Sequence, residues 1–193
     1  MMVALPKAKM NASEYLRWSQ AQDDGRFELV GGEVVMMSPE TVRHVQIKNE
    51  AWLALRNAIS KAGIGCTAYG DGAGVKINET TVREPDVSVQ CAPADPDSLL
   101  LDQPIVVVEV VSPSSSRSDT GAKVAEYFRV PSILHYLIID PASRAVIQHS
   151  RTVGSSSIVT NIHRSGSITL DPPGLEVRVE DLLAKDSRSE EEV

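Results

Sequence analysis

Apolar positions along the chain keep first a helical spacing, then a strand-like one. Residues 11–20, NASEYLRWSQ, set Tyr15, Leu16 and Trp18 on one side of a short amphipathic helix, with Ser13 as its expected cap. RFELV and EVVMM follow as two apolar runs separated by Gly31-Gly32, a β-hairpin signature. Alternation along the first run puts Phe27 and Leu29 on one face and Glu28 on the other. SPE at 38–40 is expected to open a long helix, with Ser38 as cap and Pro39 in the first turn. Ala51, Trp52, Leu55, Ala58, Ile59 and Ala62 recur at helical spacing up to Gly63 and read as core.

From Cys66 the pattern is that of strands. CTAYGDGAGVKI and TVREPDVSVQ flank a polar turn, NET. PIVVVEVVS, residues 104–112, is almost continuously apolar, as in a strand buried on both faces at the centre of a sheet. A helix near Asp119 to Arg129 is expected next, then strand LHYLIID at 134–140. AVIQHSR and SIVTNIHR read as later strands of the same sheet, and LEVRVEDLLA as a strand turning into a helical end. This order predicts an α/β fold, a mixed β-sheet core with flanking helices, in one domain of residues 1–185. Residues 186–193 form an acidic tail expected to be disordered.

Composition agrees with a globular domain: 42% of residues are hydrophobic and 23% charged. Cys66 and Cys91 lack metal-site spacing and are expected as two reduced, buried thiols. The start, MMVALPKAKM, has no apolar core of signal-peptide length, and no run approaches the roughly 20 apolar residues of a membrane span. A soluble, cytoplasmic protein is the expectation. The formal charge of −7 counts against a broad basic surface that grips nucleic acid by phosphate neutralisation alone. It leaves room for a local basic groove, or for phosphate binding through metal ions.

Candidate chemistry begins with Glu109, a carboxylate inside IVVVEVV. Burial of an unpaired charge is costly, so Glu109 must be paired, protonated, at a cleft or on a metal. Asp86 opens the strand after Pro85 and shares the face of Ser88, opposite Val87 and Val89. Carboxylates on adjacent strands can hold one hard cation through oxygen. Lys123 lies early in the helix after the central strand, where a cation is mildly unfavourable. Glu28 is a fourth member, with Glu33 as its rival. His44, in the first turns of the long helix, can face a cleft, although a lone histidine there is more often a surface residue. His135, His149 and His163 fall in strand patterns without metal-like spacing. Gly70, Gly72 and Gly74 run into a strand and make neither a dinucleotide fingerprint nor a phosphate loop. Neither a GxSxG elbow nor an HExxH motif occurs.

An acidic residue in a hairpin, PD at a strand start, E in a central apolar strand and then K: this series resembles the PD-(D/E)XK nuclease superfamily. Within it, the chain is similar to the Uma family of restriction endonuclease-like proteins. The resemblance rests on FELVGGEVVMMSPE, REPDVSV, VVVEVVSPSSS, SDTGAKVAEYF and VPSILHYLIID, in order over about residues 11–183. It implies a restriction-endonuclease-like core and a site in which Asp86, Glu109 and Glu28 hold Mg²⁺, with Mn²⁺ as a substitute. Lys123 completes the catalytic set. The superfamily lysine normally sits two residues after the acid, a position held here by Val111, so its role passes to Lys123 on the following helix. The function implied is Mg²⁺-dependent hydrolysis of DNA phosphodiester bonds, with a homodimer as the expected assembly. The alternatives are a non-catalytic nuclease-fold protein that binds a partner or nucleic acid, and a metal-free hydrolase using paired carboxylates. Aromatic content of 4% disfavours the sugar platforms that the last would need.

Overall fold

A computed structural model describes residues 5–111 and 117–183. The serine run at 112–116 and the acidic tail lie outside them. Helix α1 (Ala12–Gln20) is capped by Asn11 and not by Ser13. The Asn11 side chain accepts from the Glu14 N–H at 3.0 Å, and the Glu14 carboxylate accepts from the Asn11 N–H at 2.8 Å. This reciprocal pair satisfies two otherwise orphaned donors, an arrangement a serine two residues later has no means to copy.

Strands β1 (Phe27–Val30) and β2 (Glu33–Met36) form the expected hairpin. Its turn has φ 58° at Gly31 and 87° at Gly32, values that glycine adopts without a Cβ clash. Helix α2 (Val42–Ala62) starts later than SPE suggests. Thr41 is its cap, its hydroxyl accepting from the His44 N–H at 3.2 Å, and Gly63 ends it in the left-handed region. Glu40 therefore precedes the helix, while His44 occupies its first turn. Ile47, Lys48, Ala51, Leu55, Ala58 and Ile59 are buried, whereas Ala62 is exposed.

The remaining elements are β3 (Thr67–Gly70), β4 (Val75–Asn78), β5 (Thr81–Arg83), β6 (Val87–Gln90), β7 (Pro104–Val110), α3 (Arg117–Tyr127), β8 (His135–Asp140), β9 (Ala145–Ser150), β10 (Val159–His163), β11 (Ser167–Leu170), β12 (Leu175–Arg178) and α4 (Val179–Leu182). The strands divide among three sheets, ordered β2-β1-β5-β4, β10-β9-β8-β7-β6-β3 and β11-β12. The single sheet expected from the pattern is thus corrected. TVREPDVSVQ breaks between β5 and β6 at Glu84-Pro85, and its halves join different sheets. Proline has no N–H for the ladder, so the run does not continue straight through it.

Strand β7 is central, as expected. It pairs antiparallel with β6 and parallel with β8, and α3 makes the crossover. Val106, Val108 and Val110 pack with α2, β12 and α4, while Val107 packs on the opposite face with Tyr127, Phe128, Tyr136 and Ile138. Beyond α3, the Arg151 guanidinium donates to the carbonyls of Phe128, Val130, Pro131 and Ile133 at 2.6–2.9 Å. Strand β10 forms one edge of the large sheet, with Val159 and Ile162 57% and 63% exposed.

The cysteines depart from expectation. Thr67 pairs with Gln90 in the β3–β6 ladder, which makes Cys66 and Cys91 the next cross-strand neighbours. A disulfide joins them. Among the described residues no helix is long and apolar enough to cross a membrane.

Candidate functional site

The register of the large sheet brings the two principal acids together. Val87 pairs with Val108, and one step further along this antiparallel ladder sets Asp86 beside Glu109. Val87, Val89, Val106, Val108 and Val110 all belong to the core on the α2 side. By alternation Glu109 faces the α3 side, while Asp86 lies in the bend just before β6. Asp86 is 6% exposed, and its Oδ2 accepts from the Val110 N–H at 2.7 Å, a bond that fixes one strand start against the other strand's end.

Glu109 meets two donors from α3. Lys123 Nζ is 2.7 Å from Glu109 Oε1, and the Tyr127 hydroxyl donates to the same oxygen at 2.6 Å. The donors are four residues apart, so they stack on one helix face. Among the described residues Oε2 accepts no hydrogen bond. Burial pushes the Glu109 carboxyl above its ordinary range; the Lys123 charge opposes that rise and the Asp86 charge adds to it. Burial likewise works against the Lys123 charge, but Glu109 and Glu28 outweigh it and the ammonium is held more firmly than usual. Tyr127 is raised well above the ordinary phenol value, chiefly by burial and then by Glu109.

Glu28 reaches the same region with both oxygens engaged. Oε1 accepts from the Glu84 N–H at 3.0 Å, and Oε2 from Arg83 at 2.8 Å. Arg83 also donates to Glu126 at 2.7 Å, tying α3 to the four-stranded sheet. Glu33, the rival, lies outside this cluster and faces Lys9 at 3.8 Å with its side chain 71% exposed.

A second group meets Asp86 from α2. His44 Nε2 lies 3.7 Å from Asp86 Oδ2, and Lys48 Nζ 3.8 Å from Oδ1. Lys48 also contacts Glu40 at 2.5 Å and Asp71 at 2.6 Å, while Arg26 joins Glu84, Asp71 and Glu40. Burial opposes the Lys48 charge, but the bonds from Asp71 and Glu40 outweigh it and raise its pKa.

The structure thus gathers Asp86, Glu109, Lys123 and Glu28 within one electrostatic field. It adds Glu40, Lys48, Asp71, Arg83 and Tyr127, which sequence reasoning missed. Two of these left a trace. Lys48 interrupts the apolar stripe of α2 between Ile47 and Ala51, and Tyr127 follows Lys123 at i+4. Asp71 left none, because a surface turn and a site loop have the same composition.

Asp86 and Glu109 supply hard oxygen donors, and Glu109 Oε2 takes no protein donor among the described residues, so the pair fits a divalent cation. One family model matches residues 12–183: Uma2, described as "Putative restriction endonuclease". The chain is 27% identical over 177 residues to an uncharacterized protein from Synechocystis sp., covering 91% of this chain and 92% of that one. Its fold is similar to the crystal structure of a "putative nuclease belonging to DUF820" from Anabaena variabilis. The TM-score is 0.70 at 15% identity, covering 90% of this chain and 97% of that one.

Proposed function

The chain belongs to the Uma2 family, and from that membership we propose that it is a Mg²⁺-dependent endonuclease that hydrolyses DNA phosphodiester bonds. One observation carries the reading: Asp86, just before β6, accepts from the Val110 N–H next to Glu109 on β7, and Lys123 Nζ lies 2.7 Å from Glu109. Asp86 and Glu109 would hold the cation, Mg²⁺ or Mn²⁺ in its place. The bound ion supplies an acidified water and polarises a phosphoryl oxygen.

The chain's own residues do the rest. Lys123 orients the nucleophile and neutralises charge that develops on the phosphate. Tyr127 and Lys123 bind one oxygen of Glu109 and so turn the other outward. Glu28, expected as a third metal carboxylate, has both oxygens bonded; it instead positions Arg83 and strengthens the field that keeps Lys123 charged. A homodimer offers one site per strand of a duplex. Light scattering tests that assembly, and a monomer mass removes it. A cytoplasmic location belongs to the same reading. Recovery of the protein in the cytoplasmic fraction of lysed cells is the outcome that supports it.

The test of activity is incubation of the full chain with plasmid and oligonucleotides in Mg²⁺, Mn²⁺ or EDTA, with Asp86→Ala as control. Metal-dependent cleavage absent from the variant is expected. No cleavage under any condition moves the reading to a nuclease-fold protein that binds without cutting. The −7 charge and the Lys48 ammonium beside Glu40 and Asp71 favour that second reading.

A further inference from the structure

Asp86 also meets donor atoms from the start of α2 and the residue just before its cap. One ligand atom each from Glu40, His44 and Asp86 lies within 4.8 Å of the other two. The His44 side chain is 12% exposed, and its Nε2 stops 3.7 Å from Asp86 Oδ2. That gap is too long for a hydrogen bond. A single ion with ligands at about 2.0–2.2 Å closes it. Among the described residues Nε2 takes no hydrogen-bond partner. The convergence follows from the helix start: the Thr41 cap leaves Glu40 on the extended lead-in and turns His44, four residues on, back toward it. The set is two carboxylates and one imidazole. Mg²⁺ favours oxygen and retains waters, whereas an imidazole nitrogen shifts preference to first-row transition ions.

We propose that Glu40, His44 and Asp86 form a site for a divalent transition metal such as Mn²⁺, taken in preference to Mg²⁺. It lies beside the Asp86–Glu109 pair and shares Asp86 with it. Lys48, 2.5 Å from Glu40 Oε2 and 3.8 Å from Asp86 Oδ1, is the cation that balances these carboxylates when no ion is bound. Asp71, 2.6 Å from the ammonium, keeps Lys48 paired when the ion takes Glu40. The site shares a residue with the nuclease reading, yet it does not require that DNA be cut.

The test is titration of the full chain, freed of metal by chelator, with Mn²⁺ followed by electron paramagnetic resonance and with Co²⁺ followed by visible absorption. Circular dichroism without metal establishes that each variant folds, and His44→Gln replaces His44→Ala if the latter does not. His44→Ala and Glu40→Gln are each expected to weaken Mn²⁺ binding about tenfold or more. The Co²⁺ spectrum should change in His44→Ala, and Mg²⁺ should displace Mn²⁺ only in large excess. Glu109→Gln should weaken Mn²⁺ binding less than His44→Ala does. Wild-type Mn²⁺ affinity in His44→Ala overturns the proposal, as does loss of binding confined to Glu109→Gln. Mn²⁺ binding that His44→Ala removes, without cleavage of any DNA, supports this site and sinks the nuclease reading alone.

Discussion

The two faces of the six-stranded sheet are built from the same strands and do opposite things. Toward α2, β6 and β7 present Val87, Val89, Val106, Val108 and Val110, all buried among other apolar side chains. Toward α3 the same strands present Ser88, Val107 and Glu109, with Asp86 just before β6, where His44 and Lys48 of α2 also reach it. The first face needs only volume and a match of shape. The second takes charges out of water and recovers much of that cost through Lys123, Tyr127 and the Val110 amide. Well-packed apolar residues commonly match or exceed a buried ion pair in stability. The charged face is therefore explained by chemistry, and the apolar face by folding.

The contrast breaks most severely if a charge is moved to the wrong face. Val108→Asp, at a fully buried position without a partner, should leave no cooperatively folded protein by urea melt and circular dichroism. Next in size is Lys123→Met, which strands Glu109 and should cost about 3–5 kcal/mol in urea melts. In a cleavage assay the same change should lower kcat/KM by roughly 10²–10³-fold. Glu109→Gln added to it should restore most of the stability and none of the activity; a double variant as unstable as Lys123→Met would mean that the pair is not coupled. Tyr127→Phe removes one donor to a charged oxygen and should cost about 1.5–3 kcal/mol, with a partial loss of rate.

The smallest effect lies away from the acids, at His135. Its Nε2 donates to the Pro172 carbonyl at 2.9 Å, while Nδ1 is buried with no partner among the described residues. Burial lowers its pKa below the ordinary 6.5, with Pro172 and Asp171 opposing more weakly. Above pH 6.5 neither the folded nor the unfolded chain binds this proton, and stability is flat on its account. Below that value the unfolded chain protonates first, so stability falls until the pH drops past the folded value. His135→Gln should flatten part of the loss in Tm between neutral and mildly acidic buffer. An unchanged slope would assign the loss to other groups, His149 among them, since burial also lowers its pKa.

Much of this was legible in the sequence. Glu109 stood out because an acid inside IVVVEVV must be paired, protonated, at a cleft or on a metal, and Asp86 gained weight only in combination with it. The hairpin, the central strand and the crossover helix were equally plain, since each carries its own period. What the pattern hid was partnership. TVREPDVSVQ reads as one strand, and only tertiary pairing sends β5 and β6 to different sheets. Likewise nothing near Cys66 announces Cys91, because strand register is a property of two segments. The start of α2 was misjudged for a local reason: Ser38, Thr41 and Pro39 all qualify as start signals, and the competition falls to the hydroxyl that reaches a free amide.

The four carbonyls gathered by Arg151 also set the mechanics of the site. A helix pinned where it ends moves like a lever about that end. Tyr127 sits at the fulcrum, and Lys123 lies about 6 Å out along the arm, at about 1.5 Å per residue. A tilt of about 5° then carries the lysine only about 0.5 Å, close to the tolerance that catalytic groups allow. A strand lysine inherits its precision from the sheet. This helix lysine obtains comparable precision from a short arm, which is how a charge carried by a separate element still arrives where the chemistry needs it.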